Sequence, residues 1–408
     1  SFDMGGTTAK LCLVDGGTPQ RSRQFEIGRA ARFVKGSGLP VRIPVIDMIE
    51  IGAGGGSVAH VDGLDRLRIG PHSAGAEPGP VCYSRGGQSP TVTDADLTLG
   101  FIDPDYFAEG RVTLSAEAAA SAIKKQIGEK LGLNVRNSAY GVSQIVNENM
   151  ANAARVHAVE HGTEMSNRTM IAFGGNGPLH ATRVAEKLGI NEVIVPIDPG
   201  VGSAVGFLSA PISYELIRSL YMLISQFDER VVRQLLADME KEASAVVLAG
   251  TKSGNLIRHR TAFMRYEGQG HEIEITMPDG ALPKKMGPWL SQQFEKEYQR
   301  IFGRTVPNVD VEIMSWGYVA MTATKDSVVM KSAKKTRWPK PKGIRKLFWG
   351  QNRKSLIVPF YERTSLKSGD KIVGPALIIE SQTTTLVSPS FDATVDASGN
   401  IVMRQHAR

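Results

Sequence analysis

Cysteine is scarce in this chain. Only two of the 408 residues are cysteine, Cys12 and Cys82, which is too few for a disulfide framework and fits a reducing cytoplasm. Apolar runs long enough to cross a membrane are also missing, and no segment resembles a signal peptide. With 41% hydrophobic and 22% charged residues, the composition is typical of a globular protein, and the length predicts two or three domains.

Two common nucleotide-binding patterns are absent as well. No G-x-x-x-x-G-K-[ST] sequence occurs, which excludes a Walker-type phosphate loop. The run Gly52-Ala53-Gly54-Gly55-Gly56 looks like a dinucleotide loop, but a G-x-G-x-x-G pattern that starts at Gly52 needs glycine where Ser57 stands. A nucleotide site in this chain must therefore be built from other turns.

One such turn lies near the start of the chain. The run Asp3-Met4-Gly5-Gly6-Thr7-Thr8 separates two short apolar segments, which predicts a β-hairpin. Gly5 and Gly6 let the backbone approach a phosphate, and the backbone N–H groups and the hydroxyls of Thr7 and Thr8 then face the anion. Asp3 is a candidate for holding Mg²⁺ or orienting a nucleophile. The alternative is a plain hairpin turn.

A second glycine-rich turn lies near the middle of the chain. The apolar run 170–173 predicts a buried strand, Gly174-Gly175-Asn176-Gly177 follows it, and Pro178 suits the first turn of a helix. The glycines would let adenine or ribose lie flat on the backbone, although an ordinary strand–helix turn fits the same residues. The two turns together resemble the nucleotide site of the actin, Hsp70 and sugar-kinase superfamily. This resemblance implies an α/β fold of the actin-like ATPase (ribonuclease H-like) type.

Six longer segments, spread over nearly the whole chain, carry a more specific pattern. They are 51–57, 70–83, 90–96, 147–150, 265–269 and 373–380. Together they resemble the hydantoinase A / 5-oxoprolinase (N-methylhydantoinase A) family. The resemblance implies an ATP site in which Gly5, Gly6, Thr7 and Thr8 bind phosphate, Asp3 serves Mg²⁺ or the reaction, and Gly174, Gly175, Asn176 and Gly177 hold the adenosine. It also implies that Gly52–Gly56 line the active-site cleft.

Polar side chains in these segments are candidates for substrate contacts. They are His72, Glu77, Cys82, Asp94 and Asp96, which lie in stretches rich in glycine and proline beside the implied cleft. We expect Asp94 to be a catalytic residue, with capping of a helix around Leu97 as the alternative for Asp94 and Asp96. For Cys82, burial as a small apolar residue is favoured.

The family resemblance implies a reaction on cyclic amides. Family members open hydantoins or 5-oxoproline with ATP and Mg²⁺, and relatives carboxylate ketones such as acetone or acetophenone. We expect an ATP-dependent cyclic-amide hydrolase that activates the amide carbonyl by phosphorylation, with a ketone carboxylase subunit or a non-catalytic ATP-binding module as alternatives. The implied partners are a hydantoinase B-like second subunit in an oligomer and a small cyclic-amide substrate, and no nucleic acid or membrane.

Family members carry an earlier Asp-x-Gly-Gly-Thr loop and a further actin-like half. We therefore expect this chain to be the C-terminal portion of a longer protein and to be inactive alone. Within it, the resemblance implies an actin-like ATPase half (1–215). Composition and periodicity predict an α+β region (216–325) and a mostly β C-terminal domain (326–408) after it. Helices are predicted at 115–133, 138–160, 178–188, 200–209, 227–252 and 288–302. The small residues of 200–209 predict a helix that packs tightly against a neighbour.

Two further features have competing interpretations. The run from His157 to His161 matches the H-x-x-E-H zinc-protease pattern, but Gly162 ends the predicted helix and no downstream carboxylate is placed as a third ligand, so we expect no bound zinc. Basic residues and aromatics cluster between Lys331 and Lys354, a pattern that can bind nucleic acid. An exposed linker that leads into a β region is the favoured interpretation of this cluster.

Overall fold

The computed structural model of the chain describes residues 1–22, 25–27, 37–41, 45–251, 254–323, 336–350 and 354–406. The chain divides into two compact units, the first of Ser1–Phe207 with Val329–Arg408 and the second of Leu208–Val328. Both turns that are predicted to bind nucleotide lie in the first unit.

The described residues form the following strands and α-helices. The strands are β1 (Phe2–Met4), β2 (Ala9–Cys12), β3 (Val14–Asp15), β4 (Thr18–Pro19), β5 (Arg21–Ser22), β6 (Phe25–Ile27), β7 (Leu39–Val41), β8 (Val45–Ile46), β9 (Met48–Ile51), β10 (Ser57–Val61), β11 (Leu67–Ser73), β12 (Thr169–Phe173), β13 (Glu192–Val195), β14 (Ser213–Leu223), β15 (Leu256–Tyr266), β16 (Ile273–Met277), β17 (Val311–Thr322), β18 (Gly343–Trp349), β19 (Lys354–Glu362), β20 (Lys371–Val373), β21 (Ala376–Ile379), β22 (Thr384–Val387), β23 (Phe391–Val395) and β24 (Ile401–Gln405). The helices are α1 (Val92–Thr98), α2 (Ala116–Ile123), α3 (Glu129–Leu131), α4 (Val135–Glu160), α5 (Gly177–Leu188), α6 (Gly202–Ser209), α7 (Glu229–Ala249) and α8 (Met286–Phe302).

An eight-stranded sheet forms the centre of the first unit, in the order β20-β23-β24-β13-β12-β1-β2-β9. Its middle strands β13, β12 and β1 are parallel, and antiparallel strands flank them on both sides. Alternate residues of the middle strands are buried, among them Phe2, Met4, Ala172 and Val193, as the two-residue period of a strand requires. A mixed sheet packed with helices confirms the predicted α/β class.

The C-terminal strands complete this sheet. β24 pairs antiparallel with β13, β23 pairs with β24, and β20 pairs with β23. Residues 326–408 were expected to form a separate, mostly β domain, and the structure corrects this. Within their described part, β20, β23 and β24 join the central sheet, whereas β18, β19, β21 and β22 form a second, four-stranded sheet that contributes to the same hydrophobic core. Composition shows that the segment is rich in strands, but it does not show that Ile401 pairs with Val195.

Local capping signals set the ends of the helices in the first unit. Ser115 and Asn134 cap α2 and α4, and each side-chain oxygen accepts a hydrogen bond from the backbone N–H three residues later. Pro178 lies in the first turn of α5, and Gly189, with a φ of 71°, ends that helix. The helices predicted over 115–133, 138–160 and 178–188 are confirmed with small shifts at their ends, and a π-helical turn interrupts the first.

The second unit is an antiparallel sheet packed with two helices. The strand order is β14-β17-β15-β16, and α7 and α8 supply the helical layer. Trp316, Tyr318 and Phe294 are fully buried in its core. Asp228 caps α7, because its Oδ1 accepts hydrogen bonds from the N–H groups of Arg230 and Val231. The unit is thus α+β.

The packing of α6 differs from the prediction. The small-residue run 200–209 was expected to form a helix packed tightly against a neighbour, but no residue of α6 is buried, and Phe207 is 82% exposed. Only the start of the helix is crowded, since a Cβ atom on Gly202 would lie 3.1 Å from the side chain of Phe173. Small residues therefore permit close packing at one position without enforcing it along the helix.

The basic segment is described only in part. Lys331, Lys334 and Lys335 lie outside the described residues. Farther along, Arg345 forms an ion pair with Asp103, and Phe348 is buried. From Gly343 to Trp349 the segment is therefore a paired strand of the first unit, whereas residues 336–342 before it lie outside any strand, with Trp338 67% exposed. None of the helices in the described ranges has the length and apolar character that a bilayer crossing requires.

Candidate functional site

The two predicted nucleotide-binding turns meet at one edge of the sheet. β1 and β12 are parallel neighbours with Asp3 opposite Phe173, so the turns that follow them emerge side by side. The backbone N–H of Asn176 donates to the carbonyl of Met4 at 2.9 Å, and its side-chain Nδ2 donates to the carbonyl of Gly5 at 3.2 Å. The structure thus joins the candidate phosphate turn to the candidate adenosine turn.

A third glycine-rich loop supports the first turn from behind. The N–H groups of Gly55 and Gly56 donate to the carbonyls of Gly5 and Gly6 at 3.0 and 2.6 Å. A Cβ atom on Gly54 would lie 2.6 Å from the carbonyl oxygen of Gly6, so no larger residue fits in this conformation. The loop that was expected to line the cleft therefore acts as a support that fixes the hairpin backbone.

The hairpin turn is open on its other side. The register of β1 and β2 leaves Gly5–Thr8 as the turn, closed by a 3.0 Å hydrogen bond from the Gly5 N–H to the Thr8 carbonyl. A Cβ atom built on Gly6 would meet no atom within 4 Å, and Gly6 and Thr7 are exposed. A turn held rigidly from behind and open in front provides room for an anion at its backbone.

Asp3 lies at the end of β1 and faces both turns. Its Oδ2 accepts a hydrogen bond from the Ser203 hydroxyl at 3.1 Å. Its Oδ1 would lie 2.4 Å from a Cβ atom on Gly174, whose φ is 89°. Glycine at position 174 therefore makes room for this carboxylate. Ser203 is a contact that the sequence analysis missed, since no spacing pattern links residues 200 positions apart.

A pocket adjoins the candidate adenosine turn. It is lined by Gly175, Asn176 and Leu179, by residues 102, 103 and 106–108, and by residues 379–384, which connect β21 and β22. We call it the adenosine-side pocket. The segment 379–384 was missing from the predicted site, although the family-like segment 373–380 ends within it. Only the folded chain brings this C-terminal segment to the turn after β12.

Two polar groups of the adenosine-side pocket are positioned to recognise a ligand. Burial raises the pKa of Glu380 to about 7, although Arg363 opposes the shift from 3.5 Å away. The Thr383 hydroxyl is buried and has no hydrogen-bond partner among the described residues. A carboxyl group that is partly protonated near neutral pH can donate or accept, and an unpaired buried hydroxyl costs free energy until a ligand satisfies it.

The geometry favours the capping alternative for Asp94. Its carboxylate is fully buried and accepts from the backbone N–H and the hydroxyl of Thr91, both at 2.8 Å, which makes a capping box at the start of α1. It also accepts from the N–H groups of Cys82 and Val81 at 2.7 and 3.2 Å. Because the carboxylate is fully buried and accepts four hydrogen bonds from its own chain, Asp94 is placed to hold the turn at 81–83 rather than to contact substrate.

The other polar candidates differ in how far their side chains are buried. Cys82 is fully buried, and burial together with the nearby Asp94 carboxylate raises the pKa of its thiol, so it packs as a small apolar residue as favoured from sequence. His72 is exposed near the end of β11, and Glu77 is exposed on the loop that follows this strand. Neither residue is brought to the two turns by a hydrogen bond or an ion pair given for the described residues.

Asp96 belongs to a buried polar network behind the site. The Nε2 of His180 lies 3.0 Å from Asp96 Oδ2, and its Nδ1 lies 2.8 Å from Asn147 Oδ1. The Nη2 of Arg183 lies 3.9 Å from Asp96 Oδ1, and burial lowers the pKa of this guanidinium while Asp96 opposes the shift. The network connects α1, α4 and α5. It therefore fixes the start of α5, where the candidate adenosine turn ends.

A third potential metal ligand, which the sequence analysis missed, lies close to the two histidines of the zinc-protease pattern. Asp47, His157 and His161 bring one potential ligand atom each to within 4.8 Å of one another. The expectation that no third ligand is available considered only residues downstream of the helix, and Asp47 comes from the segment before β9. That reasoning was wrong, and the question of a bound metal is open again.

Family models match almost the whole chain. The model described as hydantoinase/oxoprolinase matches residues 1–216, and the model described as the hydantoinase/oxoprolinase C-terminal domain matches residues 229–404. The chain is 34% identical over 408 residues to an uncharacterised protein of Methanocaldococcus jannaschii, covering 98% of this chain and 57% of the relative. It is 30% identical over 404 residues to the caprolactamase subunit alpha of Pseudomonas jessenii, again covering 98% and 57%.

Two solved structures have a fold similar to that of this chain. The nucleotide-free structure of acetone carboxylase superposes with a TM-score of 0.81 at 25% identity, over 99% of this chain and 58% of that chain. The crystal structure of the ATP-dependent caprolactamase of Pseudomonas jessenii gives a TM-score of 0.78 at 28% identity, over 100% and 58%. The chain thus spans little more than half the length of the proteins it matches. Its large central sheet within a mixed α/β architecture has the actin-like ATPase fold, and the chain belongs to the hydantoinase/oxoprolinase family.

Proposed function

We propose that this chain is the part of an ATP-dependent cyclic-amide hydrolase that holds one side of the nucleotide and activates the amide carbonyl by phosphorylation. One observation carries the proposal. The turn Gly5–Thr8 is fixed from behind by Gly55 and Gly56, joined to Asn176, and open in front at Gly6. This arrangement of rigid backbone with free space suits the phosphates of a nucleotide.

The residues around this turn fit ATP and Mg²⁺. Asp3 offers a carboxylate at the same edge, and Mg²⁺ prefers oxygen ligands and is often held by one or two carboxylates together with phosphate oxygens. The adenosine-side pocket offers the Glu380 carboxyl and the Thr383 hydroxyl for the hydrogen-bonding groups of adenine or ribose. Gly174, Gly175 and Gly177 leave the backbone close to the ligand. In this assignment Asp3 binds the metal, and Asp94 positions the loop at 81–83.

The proposed reaction overcomes the low reactivity of an unstrained amide toward water. An unstrained amide resists hydrolysis because resonance places electron density on its carbonyl oxygen. In the proposed reaction that oxygen attacks the γ-phosphorus of ATP, the bond to ADP breaks, and water can then add to the activated carbon and expel the ring nitrogen. A second water releases the phosphate from the resulting acyl phosphate. The protein's part is to hold ATP in line with the amide oxygen and to exclude other water.

A ketone carboxylase is the second candidate, and one observation favours it. The acetone carboxylase structure gives the higher of the two TM-scores, 0.81 against 0.78. Both activities would use the same phosphate turn and metal, so this chain's described site does not choose between them. The choice depends on what accepts the phosphoryl group: an amide oxygen with water following, or a ketone and bicarbonate.

We further propose that the chain acts in a cytoplasmic oligomer with a hydantoinase B-like second subunit. The proposal is supported by the relative named as a caprolactamase subunit alpha, because that name implies at least one other subunit. A single phosphate turn offers few donors and cannot enclose a γ-phosphate. The segment that the relatives have beyond the matched region, which makes up over 40% of their length, is the natural source of the opposing side.

Phosphate release tests the proposal. The chain is assayed with Mg·ATP, alone and together with a hydantoinase B-like subunit and the remaining segment of a relative. Each mixture receives either a panel of cyclic amides, including caprolactam, hydantoin and 5-oxoproline, or acetone and acetophenone with bicarbonate. Amide-dependent release supports the hydrolase, and release that requires both ketone and bicarbonate supports the carboxylase. ATP binding with no substrate-dependent release in any mixture would contradict both and leave a binding module.

A further inference from the structure

A group of two histidines and one aspartate lies outside the nucleotide site. His157 is in the last turn of α4, His161 is the residue that ends this helix, and Asp47 directly precedes β9. His161 Nε2 is 3.0 Å from Asp47 Oδ2, and one potential ligand atom from each of the three residues lies within 4.8 Å of the others. We call these three residues the His–His–Asp cluster.

The hydrogen bonding of His161 indicates what the cluster binds. Its Nδ1 lies 2.8 Å from the backbone carbonyl oxygen of His157, and a carbonyl oxygen can only accept. Nδ1 therefore carries a proton, and in a neutral ring Nε2 is left with a lone pair. This lone pair faces a carboxylate oxygen of Asp47 at 3.0 Å, so two acceptors oppose each other. Only a proton on Nε2 or a cation between the two atoms relieves this repulsion.

Features of the cluster favour the cation. A ring N–H donated to a backbone carbonyl is the usual support of a metal-bound histidine, because it fixes the ring orientation and raises the basicity of the other nitrogen. The second ring, that of His157, lies 4.6 Å from the first between centroids and is 4% exposed. A plain ion pair does not require this second imidazole. Two imidazoles and a carboxylate form a common ligand set for zinc and related metals.

We propose that Asp47, His157 and His161 bind one divalent transition-metal ion of the zinc class. The side chains of His161 and Asp47 are 21% and 31% exposed, so the ion can enter from solvent and water can complete its coordination. Mg²⁺ fits poorly, because it prefers an octahedral set of oxygen ligands to imidazole nitrogen.

The cluster is separate from the phosphate turn. In the sheet, Ile51 pairs with Ala9 next to the turn, whereas Met48 pairs with Cys12 at the other end of β2. Asp47 therefore lies about 13 Å along β9 from the end that adjoins the turn, at about 3.3 Å per residue. The metal would connect the C-terminal end of α4 to the edge strand β9 and does not contact ATP. The inference is therefore independent of the proposed reaction.

Zinc titration of the chelator-treated chain tests the inference, with calorimetry and equilibrium dialysis as readouts. We expect one equivalent of Zn²⁺ to bind, to raise the melting temperature, and to remain bound in a large excess of Mg²⁺. The variants His161→Ala and Asp47→Asn should each weaken zinc binding by at least about 10-fold, because loss of a ligand should cost no less than loss of a supporting hydrogen bond.

The chain provides a matched control for these variants. His406 Nε2 lies 2.8 Å from Asp392 Oδ1, a similar histidine–aspartate pair that is not among the metal-binding groups of the described residues. His406→Ala should leave zinc affinity unchanged. Far-UV circular dichroism checks that each variant folds, and visible absorption of the Co²⁺-loaded wild type reports nitrogen ligation without any variant. A titration that shows no zinc binding, or an affinity that survives both ligand substitutions, would overturn the inference and leave an imidazolium–carboxylate ion pair.

Discussion

We expect the substitution Gly6→Val in the hairpin turn to weaken nucleotide binding while leaving the chain folded. A Cβ atom on Gly6 would meet nothing within 4 Å, and the backbone of Gly6 is not in the left-handed region, so the substitution is sterically allowed. We expect the free energy of unfolding to change by no more than about 0.5 kcal/mol, as for other surface positions. The side chain would instead occupy the space in front of the turn, where a phosphate must approach the backbone.

The size of the binding defect follows from the contacts that would be blocked. A hydrogen bond to a charged group contributes about 1.5–3 kcal/mol, so losing two backbone N–H contacts to phosphate costs about 3–6 kcal/mol. This corresponds to a loss of at least about 100-fold in affinity for Mg·ATP. Isothermal titration calorimetry measures the affinity, and thermal unfolding without nucleotide measures the stability.

Gly63 provides the control for this experiment. It is exposed between β10 and β11, and a Cβ atom there would also meet nothing within 4 Å. Gly63→Val should therefore match Gly6→Val in stability while retaining wild-type affinity for nucleotide. Wild-type affinity in Gly6→Val would show that the turn does not hold phosphate, and the assignment of Gly5–Thr8 would be wrong.

Three further predictions concern carboxylates with different environments. In the mixture with the second subunit and the remaining segment, Asp3→Asn should abolish Mg²⁺-dependent phosphate release while the chain stays folded, as measured by release assay and circular dichroism. Full activity in that mixture would contradict the metal role. The raised pKa of Glu380 means that the folded state binds a proton more tightly than the unfolded state, so the carboxyl's contribution to stability falls as pH rises from about 4.5 to about 7. Glu380→Gln should flatten this part of the stability–pH curve, and an unchanged curve would refute the assignment. Asp96→Asn should lower the free energy of unfolding by about 3–5 kcal/mol because it breaks a buried charge network. Asp15→Asn, at the exposed ion pair with Arg168, should lower it by less than about 1 kcal/mol. Equal losses of stability in urea unfolding would contradict this ranking.

The sequence predicts the features that depend on neighbouring residues. The hairpin around Gly5–Thr8 follows from glycines between two short apolar segments, and α5 follows from Pro178 and Gly189 at its ends. The helices with capping residues are placed within a few positions of their observed ends. These signals are local, because hydrogen bonds over three or four residues set them.

Contacts between distant segments are what sequence reasoning misses. Ser203 reaches Asp3 only because β1 and β13 share the central sheet. Glu380 reaches the pocket beside Asn176 because β21 and β22, which belong to a second sheet, pack in the same hydrophobic core. Asp47 reaches His161 through the edge strand β9 of the central sheet. No periodicity encodes such pairings in a single sequence. The sequence therefore predicts the two turns of the candidate site but not the contacts from distant segments that support them.

Asp94 shows why a correct motif can still leave a residue's role open. The spacing of Thr91 and Asp94 is that of a capping box, and the same carboxylate in a family-like segment also suggests catalysis. Burial and the count of donors decide between them, because the fully buried Asp94 carboxylate already accepts four hydrogen bonds from its own chain. Asp3 differs in this respect, since the Ser203 hydroxyl donates to its Oδ2 and its Oδ1 faces Gly174. Between two carboxylates near the same turns, the less saturated one is the better candidate for chemistry.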